Sequence, residues 1–264
     1  MKHPALIFIA VICSWSAQAQ NSAKQLSETG IKSQKMAAFQ TTIIGETTYD
    51  LQTNRAIGNR LILHPNNTLS AIWTMIPVNG GSSARGTGYN FFDGTSWGPQ
   101  PTYRIEKNQR SGFPTIAVTS SGRLLVAGHS STLGGTLITK SDSIGSGIWY
   151  NDTTSFAGNA NESFMKIATG GSNGQTIHII GNGSGTSGTF VAGQNGPLFY
   201  SRSLDGGNTF PVLRSIIPAI DSTQYRGFLA ENYSMDTKGD TVVIVIGGIT
   251  TDLIFLKSID NGNT

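Results

Sequence analysis

The chain has 264 residues, long enough for one large all-β domain or two smaller ones. Only 12% of it is charged and the formal net charge is +3, with no Lys/Arg cluster or basic stripe, which argues against a nucleic-acid partner. Gly is abundant at 33 residues among plentiful Ser, Thr and Asn, a composition that suits many short strands joined by tight turns.

Met1-Lys2-His3-Pro4 supplies a positive end, Ala5 to Cys13 an apolar run, and Ala17-Gln18-Ala19 a small-residue cleavage site before Gln20. Residues 1–19 therefore read as a secretory signal peptide, and the expected location is secreted or cell-surface. The apolar run is too short to span a bilayer, so no membrane span is expected. Its removal takes away Cys13, the only cysteine, and leaves a chain held by its core without disulfides. Residues 20–40 are polar and read as a leader into a fold that occupies 41–264.

A unit then recurs. Leu61-Ile62-Leu63, a turn at His64 to Asn67, and Leu69 to Trp73 predict a hairpin. The pattern returns as Pro114 to Val118 with Leu124 to Ala127, as Met165 to Ala168 with Thr176 to Ile180, and as Tyr233 to Met235 with Val242 to Ile246. The turn of the last hairpin is expected at Asp236 to Gly239. Gly170 to Gly174 and Gly181 to Gly185 read as flexible turns, because neither Gly-rich stretch opens a helix that could cradle a phosphate. After each hairpin comes an Asp-bearing turn, at Asp93, Asp142, Asp205 and Asp260, at irregular intervals of about 50 to 60 residues.

The last two turns are the most regular. Ser203-Leu204-Asp205-Gly206-Gly207-Asn208-Thr209-Phe210 and Ser258-Ile259-Asp260-Asn261-Gly262-Asn263-Thr264 both fit Ser-x-Asp-x-Gly-x-Thr. The carboxylate can accept turn N–H groups, the glycine can take positive φ, and Phe210 can wedge between sheets. This pattern resembles the Asp-box, or bacterial neuraminidase repeat, of sialidase-like propellers. The resemblance implies an all-β fold, a β-propeller of the sialidase type with about four blades visible. It also implies a fragment whose ring continues past Thr264. In this reading Ser203, Asp205, Gly207, Thr209, Phe210, Ser258, Asp260, Gly262 and Thr264 are structural.

Sialidases of this fold carry a Phe/Tyr-Arg-Ile-Pro motif before a hairpin, whose arginine belongs to a triad that clamps the sialic acid carboxylate. The stretch Ser111 to Leu125 resembles that region, but Gly112 stands at the arginine position. Arg110 lies two residues earlier, where strand geometry would need a bulge to deliver the same head group. Tyr103-Arg104-Ile105-Glu106 resembles the motif without its proline and without a hairpin behind it, and reads as a chance match or an edge-strand arginine. The family's acid/base aspartate has no counterpart in Gly128 to Gly135. Catalytic residues are thus unknown, and Arg104, Arg110 and His129 are the candidates to face a ligand. His64 and His178 read as a turn and a strand residue. No His/Cys/Asp/Glu group has metal-ligand spacing, and no cofactor is implied. Exposed aromatics such as Tyr89, Phe91, Phe92, Trp97 and Tyr103 could stack on sugar rings, although most aromatics of such blades are wedges. The expected function is a non-catalytic glycan-binding or structural propeller. The alternative is an exo-sialidase or related glycoside hydrolase whose catalytic residues lie partly beyond the chain end.

Overall fold

The structure, a computed structural model, describes residues 41–154, 156, 161–184, 190–248 and 251–264. The signal peptide, the polar leader and Cys13 lie outside the described residues. Among the described residues, fourteen strands form four antiparallel sheets. The first holds β1 (Leu61–Leu63), β2 (Leu69–Met75) and β3 (Gly86–Phe92). The second holds β4 (Gly112–Val118), β5 (Leu124–Ser130), β6 (Gly135–Ser141) and β7 (Trp149–Asp152). The third holds β8 (Asn161–Gly170), β9 (Thr176–Ser184), β10 (Leu198–Ser203) and β11 (Val212–Ile216). The fourth holds β12 (Tyr233–Lys238), β13 (Thr241–Gly248) and β14 (Thr251–Ser258). Each sheet is a meander in chain order, as expected of propeller blades.

The apolar runs are continuous because the central sheets are covered on both faces. Side chains alternate across a strand, so in β5 Leu124 and Val126 face the first sheet while Leu125 and Ala127 face the third. In β9, Ile177 and Ile179 turn toward the second sheet and Ile180 toward the fourth. Three apolar cores result among the described residues, one between each neighbouring pair of sheets. The first strands of the four sheets converge on a central channel of about 510 Å³, lined by Ile62, Thr115 to Val118, Lys166 to Thr169 and Ser234 to Thr237.

The turns after β10 and β14 are near copies of each other. Asp205 Oδ1 accepts the N–H groups of Asn208 (3.0 Å) and Thr209 (2.9 Å), and Oδ2 accepts the Thr209 hydroxyl (2.7 Å). Asp260 takes the same bonds from Asn263 and Thr264, and the Ser203 and Ser258 hydroxyls each donate to the carboxylate and accept from the glycine N–H. Gly207 and Gly262 sit at φ +82° and +76°, where a side chain would be strained. Burial pulls the Asp205 pKa upward, but the bonds from Thr209, Ser203 and Asn208 outweigh it and hold the group at about 2. Phe210 packs into the core between the second and third sheets, edge-on to Phe156 at 4.9 Å.

A second regularity joins the sheets. The penultimate residue of each third strand is Phe91, Lys140, Arg202 or Lys257. Lys140 Nζ donates to Gly207 O in the next sheet's turn at 2.9 Å. Arg202 likewise donates to Asn261 O and Asn263 Oδ1, both at 2.8 Å. The Phe91 ring lies against Gly145 of the second sheet's turn, so closely that a Cβ there would sit 2.8 Å from it.

Two sequence expectations are corrected. The last hairpin turns at Gly239-Asp240, since Asp236, Thr237 and Lys238 stay paired with Val243, Val242 and Thr241. Gly181 to Ser184 continue β9 rather than forming a turn. The glycines serve packing there: a Cβ on Gly181 would meet Glu162 Oε1 at 2.5 Å, and one on Gly183 the Phe199 ring at 2.5 Å.

His178 is fully buried between the third and fourth sheets, hydrogen-bonded to Tyr200 Oη (2.8 Å) and Asn261 Oδ1 (3.2 Å). Burial lowers its pKa from the ordinary 6.5 to about 4. The unfolded chain therefore takes up this proton first, so stability is full above pH 6.5 and falls as the pH drops toward 4. Urea unfolding should show a loss of about 3 kcal/mol from this residue across that window. In His178→Gln that acid-dependent share should vanish. Separately, Asp205→Ala should lower stability by about 1 to 2 kcal/mol at pH 7, while Leu204→Ala, on the exposed tip of the same turn, should leave the urea midpoint nearly unchanged.

Candidate functional site

The ends of the sheets opposite the Asp turns carry the loops between β2 and β3 and between β5 and β6, and the part of the β3 to β4 connection that leads into β4. Two first strands are bulged there. Register slips between Gly112 and Thr115 in β4 and between Ser163 and Lys166 in β8, with Phe113 at φ +50° and Phe164 at φ +56°. Positive φ in a bulky residue is strained and is held there by the surrounding packing. Here it brings the two rings together, centroids 5.1 Å apart, with His129 stacked on Phe113 at 5.3 Å and edge-on to Phe164 at 5.5 Å.

Arg85, in the loop before β3, reaches into this group. Its Nε donates to Ser111 O (2.9 Å), its Nη1 to Tyr49 Oη (3.3 Å), and its Nη2 to His129 Nε2 (3.3 Å). The guanidinium also lies over the Tyr49 ring, 5.2 Å from the centroid. It rests on Gly112, where a Cβ would come within 2.9 Å of its Cζ, Nε and Nη2. Gly112 thus leaves the space that the guanidinium of Arg85, from the loop before β3 of the neighbouring sheet, occupies. Sequence reasoning missed Arg85 and Tyr49. The glycine at the arginine position was the available signal, read there as a loss.

Arg110 and His129, two of the predicted candidates, come together around Arg85. Arg110 does not enter the β4 bulge. Its Nε donates to Ser82 O (2.9 Å) and its Nη1 to Ser131 Oγ (3.2 Å) at the rim. Arg104 is not on an edge strand; it lies in the loop, and its Nε and Nη1 donate to Lys107 O (2.7 Å), Ser83 O (2.7 Å) and Arg85 O (3.0 Å). It positions the Arg85 loop.

The electrostatics are one-sided. Burial, then the charge of Arg110, lowers the Arg85 pKa, and burial followed by Arg85 and Arg110 brings His129 down to about 4. Because Arg85 donates to Nε2, the proton of neutral His129 belongs on Nδ1, which is buried without a partner among the described residues. The described residues offer no ion pair to either arginine; the two pairs present are Lys166–Glu231 (3.6 Å) and Arg214–Glu162 (3.4 Å). Glu106 is buried behind the site and accepts from Thr87 N–H, the Thr87 hydroxyl and the Ser111 hydroxyl. Glu162 is buried too, raised by desolvation, and bonded to Thr136 and Arg214. Glu231 binds Lys166 and the N–H groups of Asn54 and Arg55, which ties the segment entering the first sheet to the third and fourth sheets. His64 is buried and bonded to Ser70 Oγ at 2.9 Å. Among the described residues no cluster could hold a metal ion, and no helix is long and apolar enough to cross a membrane.

The fold is the all-β, sialidase-type propeller arrangement. A Hadza microbial sialidase, Hz136, matches with a TM-score of 0.50 at 12% identity over 80% of this chain and 45% of that one. The Trypanosoma rangeli sialidase in complex with the inhibitor DANA matches at TM-score 0.49 and 14% identity, over 80% of this chain and 38% of that one. A polysaccharide lyase of family PL25, an ulvan lyase, matches at TM-score 0.48 and 13% identity, over 77% and 53%. This chain thus spans between about two fifths and a half of the length of these proteins. No protein-family model matches it, and no curated protein matches it.

Two-dimensional NMR of the His129 ring should give a pKa near 4. In Arg110→Gln the value should rise, because a positive neighbour is removed, while staying below 6.5 because burial remains the larger cause.

Proposed function

We propose that this chain is a secreted or cell-surface, sialidase-like propeller that binds acidic glycans without cleaving them. The observation that carries the reading is the approach of Arg110 to Arg85, whose guanidinium also touches His129, with no counter-ion among the described residues. Like charges held together by a rigid frame are destabilising until an anion joins them, and a carboxylate or sulfate accepts from guanidinium donors with good geometry. The neighbouring acids support a non-catalytic role. Hydrolysis of a glycosidic bond ordinarily takes two carboxyl groups flanking the bond; Glu106 and Glu162 are both buried, with both oxygens of Glu106 and Oε2 of Glu162 already accepting from hydroxyl, amide or guanidinium donors. We read the Ser-x-Asp turns as Asp-boxes, with Ser203, Asp205, Gly207, Thr209 and Phe210 and their counterparts Ser258, Asp260, Gly262 and Thr264 as frame rather than site. The start of the sequence carries the secretion part of the proposal.

Calorimetric titration of the purified chain with free galacturonate and N-acetylneuraminate tests the proposal. Binding should weaken with added salt and fall about tenfold or more in Arg110→Gln. The same protein should release no fluorophore from 4-methylumbelliferyl N-acetylneuraminide. Release at enzymatic rates would replace this reading with the glycoside hydrolase alternative.

A further inference from the structure

The five aromatics singled out in the sequence sort sharply in the structure. Tyr89 packs edge-on to Trp149 at 4.9 Å and bonds Ser70 Oγ. Phe91 fills the contact with Gly145, and Phe92 pairs with Trp97 at 5.6 Å. Tyr103, which like Phe91 has no ring partner among the described residues, is 82% exposed, the highest value among the exposed large hydrophobic side chains. It stands in the β3 to β4 loop beside a groove of about 390 Å³ walled by Pro77, Ala84, Tyr103, Arg104, Lys107 and Asn108. Lys107 and Asn108 are exposed and their side chains make no hydrogen bond or ion pair with other described residues.

We infer that this groove is a second sugar subsite, with Tyr103 as the platform for a pyranose ring and Lys107 and Asn108 as donors to its hydroxyl or acidic substituents. The inference rests on the proposed glycan reading and extends it to oligosaccharides with acidic groups. Three features select this ligand. An exposed phenol presents a π-face to the C–H side of a sugar while keeping its hydroxyl wet. Lys107 matches the sign of the neighbouring Arg85 and Arg110, so the anionic character required of the ligand continues along the surface. The groove is also fastened to the arginine site: Arg104 forms its wall and holds the Ser83 and Arg85 carbonyls, and Ala84 lies between them in sequence. A ligand of more than one ring could therefore use both places, whereas a monosaccharide held by the arginines would not touch Tyr103.

Calorimetry on the full chain with galacturonic acid, tetragalacturonic acid and neutral β-1,4-galactotetraose separates the possibilities. Wild type should bind the acidic tetramer more tightly than the monomer. Tyr103→Ala should weaken tetramer binding about tenfold and leave monomer binding unchanged, and Tyr103→Phe should restore it. Arg110→Gln should weaken both acidic ligands. An unchanged tetramer affinity in Tyr103→Ala, with Arg110→Gln still weakened, would overturn the groove and leave the glycan reading standing. Binding of the neutral tetramer alone, lost in Tyr103→Ala, would sustain the platform and overturn the acidic-glycan reading. If wild type binds none of the three, both are overturned. Tyr103 is exposed, so an unaltered melting temperature should accompany each Tyr103 variant.

Discussion

An antiparallel sheet that is apolar on both faces has to be covered twice, and this constraint organises the molecule. The second and third sheets meet it by sitting between neighbours, and the period-2 alternation of Leu124 to Ala127 and of Ile177 to Ile180 divides each strand between two cores. Once the sheets are stacked in this way, their first strands must converge, and the channel lined by β1, β4, β8 and β12 follows. One end of that stack is then fixed by compact turns and the other is left to longer loops. The division of labour between the two ends is a property of the packing before it is a property of any residue.

The candidate site grows from the same packing. Bulges in β4 and β8 turn Phe113 and Phe164 toward one another, and the ring pair makes a floor on which His129 stacks. Arg85 enters from the first sheet and lies on Gly112 of the second. No single sheet contains the site, so the charge arrangement depends on how closely neighbouring sheets approach. A flat glycine surface at that contact is the local condition for it.

The features legible in the sequence were the ones encoded within a few residues. Each hairpin declared itself through two apolar runs on either side of a turn, and the Ser-x-Asp turns close on themselves between Ser203 and Thr209. The last hairpin was displaced because Asp236 and Gly239 are both turn formers, and pairing with Val243 chose the later one. The run Gly181 to Ser184 looked like a turn because glycines that make room for Glu162 and Phe199 cannot be told by composition from glycines that bend the chain. The site was harder still. Arg85 lies 27 positions before Gly112 in the chain, and only the stacking of two sheets brings its guanidinium there. Arg104 and Arg110 could be picked out as arginines, but whether a guanidinium meets carbonyls or solvent is decided by loop paths that no local pattern records.

The penultimate residue of each third strand gives the stack a direction. Lys140 and Arg202 each hold the turn of the sheet that follows, and Lys257 occupies the same place in the fourth sheet. The third sheet therefore carries a hook, Arg202, on one side and, in its own turn, the eye that Lys140 engages. A gene segment encoding such a unit could be duplicated or exchanged without redesigning its borders, since any copy arrives with both halves of the joint. Loops at the opposite end are free of that joint, so new surfaces can evolve there while the means of assembly stays the same.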